Sequence, residues 1–333
     1  MLRRYLVVGP TLHEWDLGTY VHNILSAQGI SCEAFAYVPF GSRREANRKL
    51  LRLVERQPCD VILGLKLDRI EPDTIRKLRA KGIFCFLWYV DCAGPKPPPW
   101  IRPLVSEVDA VAVTAKGLIP QYDRLARKPV SWVHEGVHLP SFPLRLSVPV
   151  PGVYRSQVAF VGNIYYPAQT KDATFERHRL LKRVQERFHL KVWGPQGGPQ
   201  ARLIWGAKYP AIEWPAYNEE LVRICRGADV VLGINRRNDI ELYFSNRTFL
   251  TLASGGFHVT RYVPGLETMF RNREHLVWYH SEEECVQLID YYLARPKLRR
   301  KIAAAGRDWV RRRYGMARQV NRILRIVNEH HGV

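Results

Sequence analysis

Short apolar runs recur along the chain. Several lead through a polar loop into a stretch whose apolar positions fall three or four residues apart. The runs cover residues 5–8, 32–37, 60–64, 83–90, 109–114 and 130–133, then 158–163, 190–194, 228–234 and 257–260. Several are β-branched or aromatic throughout, the pattern of strands buried on both faces. The intervening stretches predict helices after Asp16 to about Gln28 with a Gly29 stop, over 42–57, over 73–81 with a Gly82 stop, over 177–188, over 246–253, after Ser281 and after Pro296. Strand and helix alternate in two series, separated by the proline-rich residues 139–151. This predicts an α/β protein of two domains, 1–145 and 146–333, each with a doubly wound sheet.

Residues 227–270 show the unit at its plainest. A strand ends in the polar loop 235–239, Ser245 is placed to cap a helix, and Gly255-Gly256 ends it before the next strand. Ligands of such sheets bind at the carboxyl ends of strands, where helix N-termini take phosphate. Arg247 in the first helical turn adds a fixed cation, so Asn235, Ser245, Asn246, Arg247, Gly255 and Gly256 are candidate binding residues.

This stretch carries a resemblance. Arg247-x-Phe249, then 252–256 as Leu-Ala-Ser-Gly-Gly, then Pro264-Gly265-Leu266-Glu267 and Phe270 resemble the C-terminal, group 1-type domain of GT-B glycosyltransferases. Within these the chain is similar to the CgeB-like (spore-maturation protein B-like) group. The likeness continues through 275–279 and the Arg-rich end at 314–318. It implies two Rossmann-like domains facing across a cleft, with a C-terminal crossover helix. It implies a nucleotide-sugar donor on the second domain and an acceptor hydroxyl against the first.

On that resemblance, Gly162, Asn163, Arg177 and Arg179 fall beside the donor diphosphate, and Tyr217, with Trp214, falls where the base stacks. Glu241 matches the first acid of a paired-glutamate motif. Leu250 stands where the family has the Glu that holds the ribose, so the usual ribose contact is missing and the inverting or retaining outcome stays open. Trp88 to Asp91 resembles the strand end of the CgeB-like group. Asp91 is therefore the first candidate for general base, followed by Asp16 and His13 in the loop after the first strand. Each of these could instead be a helix cap or an exposed loop residue. The prolines up to Trp100 are expected to form a stiff loop.

Composition adds charge and compartment. Lys and Arg number 51 against 31 Asp and Glu, much of the excess lying in 297–325. This fits dispersed basic helix faces or a polyanionic acceptor such as DNA or an anionic glycan. The six cysteines form no Cys-x-x-Cys pair, as in a reducing cytoplasm. No apolar run approaches the ~20 residues of a membrane span. The chain contains no Asp-x-Asp, so the expected transfer is metal-independent, with no cofactor beyond the nucleotide-sugar substrate. The alternative is a non-catalytic glycan- or nucleic-acid-binding protein on the same scaffold.

Overall fold

The computed structural model describes residues 3–91, 96–146, 149–163, 171–194, 212–213 and 216–330. Cys92, Pro95, Trp214 and the pair Gly197-Gly198 lie outside the described residues. The chain divides into two compact units. The first is Met1–Glu135 with Ile240–Tyr243 and Met316–Val333; the second is Gly136–Asp239 with Phe244–Gly315. Sequence placed the boundary at 145, whereas residues 136–145 count with the second unit, and the last helix counts with the first.

The first unit holds six parallel strands: β1 (Tyr5–Gly9), β2 (Cys32–Ala36), β3 (Val61–Leu65), β4 (Phe84–Tyr89), β5 (Ala110–Val113) and β6 (Ser131–Trp132). Their order is β2-β1-β3-β4-β5-β6. The helices are α1 (Leu17–Ala27), α2 (Arg43–Arg56), α3 (Pro72–Ala80), α4 (Arg102–Glu107) and α5 (Ile119–Ala126). Strand alternation sorts the core into two layers. Leu6, Val8, Ile62, Leu87 and Val111 pack with α2 through Leu50 and with α3 through Ile75. Tyr5, Val7, Leu63, Phe86 and Trp88 pack on the other face with Val21 and Leu25 of α1. Both faces are covered, which is why the strands read as unbroken apolar runs. Ser42 caps α2 by accepting from the Glu45 amide at 3.1 Å, a contact worth about 1 kcal/mol.

In the second unit the strands are β7 (Ser156–Val161), β8 (Leu190–Trp193), β9 (Ile212–Glu213), β10 (Ala228–Gly233), β11 (His258–Arg261) and β12 (Val277–Tyr279). They are again parallel, in the order β12-β11-β10-β7-β8-β9. The helices are α6 (Lys171–Arg187), α7 (Asn218–Gly227), α8 (Arg247–Ala253), α9 (Glu282–Leu293) and α10 (Pro296–Arg313). Val158, Phe160, Val230, Leu232 and Val259 form its core with Leu181 of α6 and Ile289 of α9. A further helix, α11 (Met316–His330), follows α10 and belongs to the first unit, where Met316, Val320, Ile323 and Val327 join the α1 layer.

Three differences from the sequence reading matter. The helix expected over 177–188 begins at Lys171, so Arg177 is an interior helical residue. The single helix expected after Pro296 is two, α10 and α11, with Tyr314 and Gly315 between them. Short α4 and α5 were not foreseen, because each is opened by a proline inside a mixed polar stretch rather than by an acidic cap.

Candidate functional site

The chain leaves β7 toward β8 on one side and returns to β10 on the other, so the second sheet reverses between β7 and β10. A doubly wound sheet presents its crevice at the carboxyl ends of those two strands. β7 runs out into Gly162 and Asn163, and β10 into Ile234 and Asn235. Arg177 reaches both. Its guanidinium donates to the Asn163 carbonyl and, at 2.7 Å, to the Ile234 carbonyl, while lying 5.4 Å over the Phe160 ring. The residue is 3% exposed. A buried cation thus spans the two strand ends.

Arg247, the first residue of α8, donates to the Val161 carbonyl at the end of β7. Gly162 makes room for it. Its φ is +152°, and an added Cβ would stand 3.0 Å from Arg247 Nη1. Asn235 ties the loop down, donating to the Arg261 carbonyl at 3.3 Å and accepting from the Ser245 amide at 3.2 Å. Ser245 Oγ accepts from the Arg247 amide at 3.3 Å. Asn246 Oδ1 is buried without a hydrogen-bond partner among the described residues. Gly162, Asn163, Arg177, Asn235, Ser245, Asn246 and Arg247 therefore come together at one edge of one sheet.

Five other expected residues do not join them. Arg179 pairs with Glu282 of α9 at 2.6 Å, because residues two apart on a helix point to different faces. Gly255 and Gly256 follow α8 and precede β11, which puts them at the amino edge of the parallel sheet. Glu241 belongs to the first unit and pairs with Lys116 at 2.7 Å. Tyr217 stands before α7, beyond the edge strand β9, with 45% exposure.

The first sheet reverses between β1 and β3. Beyond β3, Lys66 and Leu67 both adopt left-handed backbone, with φ of 66° and 58°. Two consecutive non-glycine residues there are strained, and strain of this kind clusters at functional sites. The turn is held by the Lys66 amide donating to the Trp88 carbonyl at 3.0 Å. It aims Lys66 Nζ at Asp91, 2.7 Å away beyond β4, and at Asp68, 3.5 Å away. Burial pulls the Lys66 pKa down, and the Asp91 and Asp68 carboxylates outweigh it and leave it raised. Asp91 keeps a side chain half open to solvent.

Glu135 stands three residues past the end of β6. Burial pushes its carboxyl from 4.5 up to about 8, with the Asp91 charge adding to the shift. The other two expected bases are committed to their loop. Asp16 Oδ2 accepts from the Leu12 amide at 2.9 Å and the His13 amide at 2.8 Å, and the His13 ring stacks on Trp15 at 4.7 Å.

Solved structures share this architecture along the whole chain. A sucrose-phosphate synthase from Thermosynechococcus elongatus is 12% identical over 98% of this chain and 99% of its own, with a TM-score of 0.71. Anabaena Alr3699/HepE in complex with UDP and glucose is 10% identical over 98% and 100%, with a TM-score of 0.68. A glycosyltransferase from Rickettsia africae ESF-5 is 11% identical over 100% of both chains, also at 0.68.

The fold is GT-B.

The family model described as Glycosyl transferase-like matches residues 176–325 of this GT-B chain, from Arg177's neighbour through most of α11. No curated protein matches it in sequence. The matched span includes Arg177, Asn235, Ser245, Asn246 and Arg247, whereas Gly162 and Asn163 at the end of β7 precede it.

Proposed function

We propose that this chain is a glycosyltransferase that takes its sugar from a nucleoside-diphosphate donor held at the carboxyl edge of the second sheet. The observation that carries the reading is Arg177 spanning the ends of β7 and β10, with Arg247 beside it. Breaking a glycosyl–phosphate bond builds charge on the departing diphosphate, and fixed guanidiniums lower that cost because they need no reorganisation. With two such cations in place, we propose that transfer needs no metal and no cofactor beyond the donor. The Glycosyl transferase-like match and the UDP bound to the HepE relative support the choice of donor. The strand end 88–91 and the stretch 247–270 support a CgeB-like assignment.

On the first unit, Asp91 is the proposed base that takes the acceptor's proton, with Lys66 holding it in place. An anionic acceptor, such as DNA or an anionic glycan, is supported by the exposed Arg43, Arg44, Arg48, Lys49, Arg52 and Arg56 of α2. The five described cysteines are all free, which supports a cytoplasmic setting, and no helix among the described residues is long and apolar enough to cross a membrane.

A panel of nucleoside-diphosphate sugars, each followed for donor consumption and by calorimetry, tests the reading. One donor should bind and be hydrolysed by the wild type, with water taking the acceptor's place, and should bind without hydrolysis in Asp91→Asn. Binding without turnover in the wild type would favour a non-catalytic binder, the reading that Leu250 in place of a ribose-holding Glu supports. Absence of binding across the panel would sink both.

A further inference from the structure

The second unit gathers positive charge at the amino edge of its sheet, the edge opposite the donor residues. Arg226 of α7 donates through Nε to the Ser254 carbonyl at 3.0 Å, and through Nη2 to those of Pro143 at 3.0 Å and Leu144 at 2.8 Å. Arg311 of α10 donates through Nη1 to the Phe142 carbonyl at 2.7 Å and the Ala253 carbonyl at 3.3 Å. The two guanidiniums therefore meet on consecutive carbonyls of the same two segments. Arg307 lies about one helical turn before Arg311. Its Cδ is 3.7 Å from where a Cβ on Gly255 would stand, and Gly255 takes a φ of +83° that other residues avoid.

Helix capping accounts for only part of this. Arg226 and Arg311 satisfy the last carbonyls of α8, as cations at a helix C-terminus do. Arg307 caps nothing. Its one hydrogen-bond partner among the described residues is Asp308, at 2.9 Å, and its side chain is 35% exposed. Asp308 is also the one carboxylate bonded to any of the three among the described residues. Three guanidiniums against one carboxylate leave two positive charges in a partly buried place. Burial, then the neighbouring arginines, pull the pKa values of Arg226 and Arg311 down. Arg145, exposed, follows Leu144 in the chain and adds to the surplus.

We infer that Arg226, Arg307 and Arg311 form a binding site for a phosphate-class dianion, either the free ion or a small phosphate ester. The surplus of two charges matches a phosphate group, which carries about −1.5 to −2 at neutral pH. Donors are available for it. Arg307 Nη1 and Nη2, with Arg311 Nε and Nη2, make no hydrogen bond among the described residues. Guanidinium forks suit phosphate oxygens in pairs. The site does not depend on the donor proposal, since the two sets of residues lie at opposite ends of α8, which begins at Arg247 and ends at Ala253.

The test is calorimetric titration of the full chain with inorganic phosphate and, separately, with glycerol phosphate. The wild type should bind phosphate. Arg307→Gln should weaken it by at least about tenfold, the effect of losing one charge-assisted contact. Asp308→Asn should tighten it severalfold, because the competing carboxylate is gone. Arg247→Ala should leave it unchanged. Tighter binding of glycerol phosphate than of phosphate, with the same response to the variants, identifies an ester as the ligand; equal or weaker binding identifies the free ion. No phosphate binding by the wild type at millimolar concentration overturns the proposal, as does a loss confined to Arg247→Ala. Should Arg307→Gln fail to fold, Asp308→Asn carries the test, and wild-type affinity in that variant overturns the site.

Discussion

Arg177 donates to the carbonyl of Ile234 at 2.7 Å, so a residue inside α6 holds the end of β10. The contact is buried, and the same guanidinium also holds Asn163 at the end of β7. A lysine keeps the charge but cannot reach two carbonyls with a planar fork. Arg177→Lys should lower the thermal midpoint and weaken nucleoside-diphosphate affinity about tenfold, the scale of one charge-assisted hydrogen bond. Scanning calorimetry and a nucleotide titration read the two effects. A variant that matched the wild type in both would show that the bridge neither supports the fold nor shapes the site.

Arg247 is the more accessible partner. Arg247→Ala should weaken the same nucleotide by ~1.5–3 kcal/mol, the range for a hydrogen bond to a charged group. Gly162→Ala gives a second approach, because its Cβ would stand 3.0 Å from Arg247 Nη1 at a φ of +152°. It should weaken the nucleotide in the same direction without removing any charge. Unchanged affinity in both variants would take Arg247 out of the site.

Glu135 makes stability depend on pH. Its folded pKa, about 8, lies above the ordinary 4.5. Between those values the folded protein holds a proton that the unfolded chain releases, so the unfolding free energy falls as pH rises. The stabilising contribution is complete below about 4.5, and it is lost by about 8. Glu135→Gln should remove this slope and raise the denaturant midpoint at pH 8 relative to the wild type. Urea titrations at pH 5 and pH 8 decide it: an unchanged slope in the variant rules Glu135 out as its source.

His258 acts at the acid end. The ring sits under α8, with Nδ1 3.0 Å from the Val231 carbonyl and Nε2 3.2 Å from Thr248 Oγ1. Burial lowers its pKa from 6.5 to about 4, with the Val231 contact opposing. The unfolded chain takes up a proton below 6.5 that the folded chain refuses until about 4. Stability from this residue is therefore full above pH 6.5 and lost as pH falls toward 4. His134 carries the same sign. Proton resonances of the His258 ring should show no titration down to pH 5; a midpoint near 6.5 would contradict the burial argument.

The strands were legible because burial on both faces writes itself as unbroken apolar sequence, as at Phe86 and Trp88. The carboxyl edge of the second sheet was legible where a residue directly follows a strand, as Gly162, Asn163 and Asn235 do. Arg179 was misplaced for want of helix phase. Two residues from Arg177, it points to another face, and only the start at Lys171 and the packing of α6 show which face is inward. The Gly255-Gly256 pair was misassigned because strand direction was not followed: in a parallel sheet, residues leading into β11 belong at the amino edge. Lys66 gave no signal, since nothing in its sequence announces left-handed backbone at a lysine followed by a leucine. Glu241 could not be placed, because no local pattern marks four residues, Ile240–Tyr243, as part of the other unit.

The first unit also takes its last layer from far along the chain. Val7, Val21, Leu25, Phe86 and Trp88 pack with Val320 and Ile323 of α11, and α11 follows the whole of the second unit. On the ribosome, the sheet made first must wait with that face incompletely covered while the second unit is synthesised. Newly made chains are most exposed to mispairing at such moments. The order of synthesis thus opposes the order in which this unit can be completed, and the apolar face of the first sheet is where a chaperone would be needed.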